Sequence, residues 1–309
     1  MATGKMHAIQ MNDYGGPEVL KLAETNIPQP GAGQVLVRLF ASGVNPADWK
    51  ARAGYMKQFR PLTFPWTPGL EGAGVVEALG PGVAAFRPGQ AVFGPMAGSY
   101  AQYALAAAGD LQPKPQRLGF EEAATIPVGG LTAWGSVIDV ANVQPGQRVL
   151  VHGAAGGVGL FAVQLARWKG ATVYGTASTA NLDFVRSLGA EAIDYTAGPF
   201  EDNVHDLDAV IDAVGGDLHK RSIQVLRRGG VFVTVAGQLA EGLGQAEGVR
   251  VQRGGRAAVE RLKDISELIE QGVVKLAVYK VFPLAEAGQA HALSQTGHGR
   301  GRIVLHIAG

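Results

Sequence analysis

Val149-Leu150-Val151-His152-Gly153-Ala154-Ala155-Gly156-Gly157-Val158-Gly159 is the stretch on which the reading of this chain turns. A β-branched apolar run stops at a glycine cluster. An apolar pattern at helical spacing follows at once through Leu160, Phe161, Val163, Leu165, Ala166 and Trp168. Strand, tight turn and helix start together hold a dinucleotide pyrophosphate. Unpaired N–H groups and the positive end of the helix dipole face the phosphates, and glycines let the backbone come close. The spacing is Gly153-x-x-Gly156-Gly157-x-Gly159 rather than the plain G-x-G-x-x-G form. A glycine cluster alone also fits a turn with no ligand. The flanking strand and helix favour a cofactor site, with Ala155, Gly156, Gly157 and Val158 as its cradle.

Outward from this turn, the chain alternates strand and helix. The pattern predicts strands over 148–152, 171–175, 191–194, 208–213 and 229–235, and helices over 158–169, 180–188 and 217–227. Such alternation implies a parallel sheet covered on both faces. Residues 238–255 are glycine-rich and read as a mobile loop around a short strand at 249–251, and 256–271 as an amphipathic helix. Upstream, 121–140 has helical spacing with breaks expected at Pro127 and Gly129-Gly130. The first 104 residues differ: short apolar runs at 6–11, 35–40, 72–80, 91–93 and 99–104 lie between prolines and glycines, with one helical piece ending at Arg52. The last run, 301–307, belongs with this β-rich half. The expected fold class is α/β, a β-rich domain joined to a doubly wound parallel sheet.

At 309 residues the chain has room for about two domains with substantial cores. A net charge of +1 implies no strongly charged partner, and aromatic residues are not interleaved with Lys or Arg, so no nucleic-acid role is expected. No segment approaches the roughly 18 uninterrupted apolar residues of a membrane span, and the N-terminus has no signal-peptide apolar core. A cytoplasmic location without membrane partners is expected. Cysteine is absent, which removes disulfides, thiol nucleophiles and thiolate metal sites. The seven histidines show no H-x-x-x-H spacing, and no metal is expected.

Several motifs then fall in one order: Ser42-Gly43-Val44-Asn45-Pro46-Ala47-Asp48-Trp49-Lys50, Pro68-Gly69-Leu70-Glu71-Gly72-Ala73-Gly74-Val75-Val76, Gly130-Leu131-Thr132-Ala133-Trp134, the glycine turn, Asp212-Ala213-Val214-Gly215-Gly216, and Gly299-Arg300-Gly301-Arg302-Ile303-Val304-Leu305. Over essentially its whole length the chain resembles the zinc-independent medium-chain dehydrogenases/reductases of the quinone oxidoreductase type. The resemblance implies a GroES-like catalytic domain from both chain ends, expected at 1–124 and 272–309, a Rossmann NADP-binding domain at 125–271, and a homodimer. In the zinc-dependent branch a Gly-His-Glu triplet supplies a ligand. Here Gly69-Leu70-Glu71 stands in its place, and leucine binds no metal.

NAD-specific sites carry an acidic residue at the end of the second strand, roughly 20 residues past the glycine turn, to accept from the ribose 2′-OH. That strand runs here into Thr176-Ala177-Ser178-Thr179-Ala180-Asn181, with no acid at the tip. A carboxylate there would repel the 2′-phosphate of NADP, and small hydroxyl and amide donors suit it. Ser178 and Asn181 are therefore expected to favour NADP(H). Tyr195 matches a tyrosine that relatives carry after the third strand. Their usual lysine is missing, and Arg186 either substitutes for it or is a surface arginine. Ligands in open parallel sheets bind beyond the carboxyl ends of the strands. That places Val214, Gly215, Ala236 and Gly237 beside the cofactor, although Asp212 also reads as a plain turn former. Thr132 either touches the cofactor or starts a helix.

Without a Lewis acid, the practical chemistry is hydride transfer to an acceptor that is already electrophilic, a quinone or an α,β-unsaturated carbonyl (enone). The resemblance places Asn45 near the acceptor as a hydrogen-bond donor, against its reading as an Asn-Pro turn former. Tyr55 is the candidate proton donor, or a residue that only lines the pocket. Two alternatives stay open: a 2-enoyl thioester reductase, with Lys50, Arg52, Lys57 and Arg60 as a basic entry, or a non-enzymatic protein that only binds NADPH for regulation.

Overall fold

The computed structural model describes residues 4–307. The chain divides into two compact units, one made of 1–128, 277–298 and 302–309, the other of 129–276 and 299–301. The first holds β1 (Lys5–Gln10), β2 (Lys21–Asn26), β3 (Gln34–Val44), α1 (Pro46–Arg52), β4 (Glu71–Leu79), β5 (Ala91–Pro95), β6 (Tyr103–Ala107), β7 (Gln112–Pro113) and the single turn α2 (Phe120–Ala123). α3 (Ile126–Trp134) continues in π-helical form over Gly135–Val140. The second unit then runs β8 (Arg148–His152), α4 (Gly159–Trp168), β9 (Thr172–Ala177), α5 (Leu182–Ser187), β10 (Glu191–Asp194), β11 (Leu207–Asp212), α6 (Leu218–Gln224), β12 (Leu226–Thr234), β13 (Arg250–Arg253) and α7 (Arg261–Glu270). β14 (Val278–Pro283), α8 (Ala287–Gln295) and β15 (Arg302–His306) return to the first unit.

In the first unit a seven-stranded sheet has the order β14-β15-β3-β4-β5-β7, with β6 also paired to β3. The 11-residue β3 is its spine. It pairs antiparallel with β4, β6 and β15, so Val304 lies opposite Gly43 and Leu305 opposite Ser42. Val35, Val37, Leu39, Val76, Val92, Tyr100 and Leu305 fill its core. This is the GroES-like half, and α1, α2 and α8 stand beside its strands.

In the second unit every strand pair is parallel, in the order β10-β9-β8-β11-β12-β13. Counted from β8 that is 3-2-1-4-5-6, the doubly wound Rossmann order. β8 is central and fully apolar at Val149, Leu150 and Val151, as a strand covered on both faces must be. Among the described residues no helix is long and apolar enough to cross a membrane.

Three expectations need correction. The helical stretch does part just ahead of Pro127, α2 ending at Ala123 and α3 starting at Ile126, but Gly129-Gly130 do not break α3. Pro127 sits second in α3, where a missing N–H leaves no bond unmade. Gly129 is needed for close packing, because a Cβ there would lie 2.5 Å from the Gly157 carbonyl oxygen. The helix expected over 256–271 starts only at Arg261. Ala257 N–H donates to the Leu131 carbonyl at 2.9 Å, which ties the preceding segment down in non-helical form. The strand expected over 99–104 lies at Tyr103–Ala107, with Ala101 making only an isolated bridge to Ala8.

Candidate active site

The glycine turn is built by contact. Gly153 has φ +67°, and a Cβ on Gly159 would fall 2.0 Å from the Gly153 carbonyl oxygen, so the helix can start this close to the strand only without a side chain. Gly156 N–H donates to that same carbonyl at 2.9 Å. No described residue accepts a hydrogen bond from the N–H of Gly157 or Val158 at the head of the ten-residue α4. Those are the donors a pyrophosphate needs.

The surrounding loops converge on this turn. Val214, 55 % exposed, leans over it: a Cβ on Gly153 would meet Val214 Cγ2 at 3.0 Å. Gly215 (φ +86°) backs onto Ala236 and Gly237. Asp212 is the organiser. Its buried carboxylate accepts the N–H groups of Val214 at 2.9 Å and Gly215 at 3.0 Å, the Thr234 hydroxyl at 2.7 Å, and lies 3.1 Å from His219 Nε2. Thr132 stands half-buried on α3, the helix that Gly129 packs against the turn, and its carbonyl accepts the Ser136 hydroxyl at 2.8 Å. Ala155 accepts Gly301 N–H through its carbonyl at 2.7 Å.

At the tip of β9, Asn181 Nδ2 donates to Ser178 Oγ at 3.2 Å and to the Gly299 carbonyl at 3.4 Å. Tyr195 N–H donates to the Ala177 carbonyl at 3.2 Å, and its ring is 49 % exposed. Arg300 follows Gly299, exposed, with its guanidinium 5.8 Å from the Phe184 ring centre. Sequence reading missed this cation because it arrives from 119 residues downstream of Asn181. Arg186 instead pairs with Asp183 at 2.7 Å.

In the first unit, Asn45 precedes α1 and is buried. Its Nδ2 donates to Glu71 Oε1 at 2.8 Å and reaches the Gly43 carbonyl only at 3.5 Å, while its Oδ1 accepts from Arg302 at 2.9 Å. Arg302 and Glu71 close the triangle as an ion pair. Glu71 Oε2 also accepts Val128 N–H at 2.6 Å. Tyr55 stands apart from this cluster, 72 % exposed, its ring edge-on to Trp49 at 5.8 Å. It lines a cavity of about 400 Å³ with Gly15, Gly16, Arg52, Ala53, Gly54 and Gln295. Arg52 is buried and bonded to Gln295 at 3.0 Å, so it is not part of a basic entry. Glu71 and Arg302 had one visible signal, a charge inside each of two apolar β runs.

Two family models match the chain: an alcohol dehydrogenase GroES-like domain over 31–116 and a zinc-binding dehydrogenase domain over 188–305. Mouse quinone oxidoreductase is 32 % identical over 331 aligned positions, covering 99 % of this chain and 99 % of that protein. The chain belongs to the medium-chain dehydrogenase/reductase superfamily. A superfamily structure titled as the quinone oxidoreductase from Coxiella burnetii superposes with a TM-score of 0.92 at 34 % identity, covering 99 % of this chain and all of that one. A second, titled as CurK enoyl reductase, gives 0.91 at 26 %, covering 98 % and 99 %. Members of this superfamily are oxidoreductases that use nicotinamide cofactors, and the glycine turn with its unpaired donors fits such a group. Zinc does not fit. The chain has no thiolate, Leu70 occupies the ligand triplet, and Glu71 is already neutralised by Arg302. No group of three or more His, Asp or Glu among the described residues is placed to hold a metal ion.

Proposed function

We propose that the protein is an NADPH-dependent, zinc-free reductase of quinones or α,β-unsaturated carbonyls. The observation that carries the cofactor choice is the β9 tip. The tip itself offers Ser178 and Asn181 and carries no acid, the neighbouring Asp194 carboxylate being taken up by the Thr179 and Thr196 hydroxyls at 2.6 Å, and the Asn181–Gly299 bond brings in Arg300, which lies over Phe184. A doubly charged phosphate is favoured there and a bare 2′-OH gains little. Thr132, Ala155, Gly156, Gly157, Val158, Tyr195, Val214, Gly215, Ala236 and Gly237 are proposed to complete the nucleotide site.

When bound, the reduced nicotinamide supplies a hydride to the acceptor carbon. The chain's own part is electrostatic. Negative charge grows on the acceptor oxygen, and a donor aimed at it in a dry site is worth about 3–4 kcal/mol. One Asn45 amide hydrogen is spent on Glu71, and the other makes only the 3.5 Å contact to Gly43; it is proposed to serve the acceptor oxygen. Tyr55 Oη, which stands apart from the Asn45 cluster, is proposed to deliver the proton to that oxygen through intervening water and to regain one from solvent. The names of the quinone oxidoreductase relatives and the unsuitable zinc donors support electrophilic acceptors over alcohols. The open edge of β13 supports the homodimer.

The test is a titration of the purified protein with NADPH and NADH, followed by a small quinone, reading loss of reduced-cofactor absorbance. Rapid NADPH oxidation with weak NADH use is expected. Failure to bind either nucleotide overturns the reading. A 2-enoyl thioester reductase is the second reading, favoured by Phe59 standing 83 % exposed between Lys57 and Arg60. A higher kcat/KM for an enoyl thioester than for the matching free enone would select it.

A further inference from the structure

Beneath Asn45 runs a chain of polar side chains that the hydride reading does not use. Asp48 on α1, Tyr100 from the segment before β6 and His291 on α8 are exposed by 2 %, 0 % and 0 %. Their hydrogen bonds have a direction. Arg52 Nη1 lies 3.5 Å from His291 Nδ1, and a guanidinium only donates, so Nδ1 accepts and the ring hydrogen is on Nε2. Nε2–H then donates to Tyr100 Oη at 3.1 Å. That leaves the tyrosine hydroxyl hydrogen for Asp48 Oδ2, also at 3.1 Å. The same Oδ2 accepts the backbone N–H of Asn45 at 2.8 Å. Three buried polar groups from three parts of the chain end on one peptide nitrogen.

Burial of such groups costs stability that an apolar set would not. Asp48 Oδ1 even lacks a partner. The groups facing Asp48 are Glu71 from β4, Arg302 from β15 and Tyr100, with His291 and Arg52 behind. Burial, with the charge of Glu71 adding to it, pushes Asp48 up to about 7, against the Asn45 and Tyr100 hydrogen bonds and Arg302. Burial, helped by Arg52, lowers His291 to about 3, and burial with Asp48 raises Tyr100 well above its ordinary value. Of Asp48, Tyr100 and His291, it is Asp48 whose charge changes near neutral pH.

We propose that Asp48, held by Tyr100 and His291, is a positioning residue for the reduction: its carboxylate fixes the Asn45 N–H, and so the aim of the Asn45 carboxamide, and protonation loosens that hold. The proposal rests on the role given to Asn45 above. A charge-assisted hydrogen bond is about twice as strong as a neutral one. Losing the charge therefore leaves Asn45 attached but less firmly aimed.

The test joins two readouts, with NADPH and a small quinone for turnover and the 1H–15N amide signal of Asn45 for the protein alone. In the wild type the Asn45 signal should titrate near neutral pH, and kcat should rise along the same limb by roughly fivefold to tenfold, the difference between a neutral and a charge-assisted bond. Asp48→Asn, of equal shape and always neutral, should abolish the amide titration and hold kcat at its low-pH level. Tyr100→Phe removes a donor that favours the carboxylate and should move both midpoints to higher pH. Thermal melting confirms that each variant is folded. An Asn45 signal flat through neutral pH, or unchanged titration in Asp48→Asn, overturns the proposal, as does a kcat that ignores the amide midpoint. If the amide titrates as expected but no quinone or enone is reduced, the Asp48–Asn45 link stands and the proposed reaction falls.

Discussion

Arg302 and Glu71 form an ion pair almost withdrawn from water, their side chains 4 % and 0 % exposed, and Asn45 is hydrogen-bonded to both. Removing one partner from such a pair leaves a buried, uncompensated charge, whereas removing both leaves an apolar space. Glu71→Gln should therefore destabilise the protein by about 3–5 kcal/mol. Adding Arg302→Met should recover a large part of that loss. Urea denaturation of the single and double variants decides the matter. Equal losses in the two would mean that the pair is not what holds this corner together.

Gly159→Ala tests the nucleotide turn. The added carbon would lie 2.0 Å from the Gly153 carbonyl oxygen and 2.8 Å from Ala154 Cα, both backbone atoms that have no rotamer to move. Relief must come from shifting α4 away from β8, with a strain of about 1–3 kcal/mol. NADPH affinity, followed by fluorescence of the reduced cofactor, should drop at least tenfold. Wild-type affinity in this variant would show that the pyrophosphate lies elsewhere.

At the β9 tip two substitutions separate the two nucleotides. Arg300→Ala removes a cation and should weaken NADPH by roughly tenfold to a hundredfold, the worth of about 1.5–3 kcal/mol for a hydrogen bond to a charged group. NADH should be unaffected. Ser178→Asp places a carboxylate where NAD-specific sites keep theirs, and should raise NADH use while repelling the 2′-phosphate. The ratio of kcat/KM for the two cofactors is the readout. A ratio unmoved by either change would sink the 2′-phosphate reading.

How far the sequence reached depends on whether a signal is local. β8, the glycine turn and α4 follow one another within 20 residues or so of chain, and their periodicities change at the turn itself. The break at Pro127 is legible, because a proline suits the first turn of a new helix and α2 gives way to α3 just ahead of it. The break expected at Gly129-Gly130 failed because a glycine facing another backbone looks, as a letter, like punctuation. Only the 2.5 Å approach to Gly157 shows what Gly129 is for. Arg302 reaches Glu71 across 231 positions, and His291 reaches Tyr100 across 191. Side chains that meet over such distances leave no spacing to read. Arg302 and Glu71 are visible in sequence only as charges out of place in apolar strands.

Acid stability follows from three buried groups. Burial lowers His152, bonded to Thr176 at 3.1 Å and Ser222 at 3.0 Å, to about 4, and His291 to about 3. In the unfolded chain each titrates near 6.5. Their stabilising effect is therefore complete above about pH 6.5 and is lost as pH falls toward the folded values. Asp48 acts oppositely: raised to about 7 by burial, it favours the folded state at low pH and loses that contribution as pH rises through 7. Between about pH 4 and 6.5 unfolding thus takes up two histidine protons and releases one from Asp48, a net slope of about 1.4 kcal/mol per pH unit from this set. His152→Gln should lower the measured slope by about 1.4 kcal/mol per unit, and Asp48→Asn should raise it by the same amount. Urea unfolding at half-unit steps of pH measures both, and because other titrating groups are common to all three proteins, only the differences matter. A His152→Gln slope equal to that of the wild type would mean that the folded protein already protonates this imidazole.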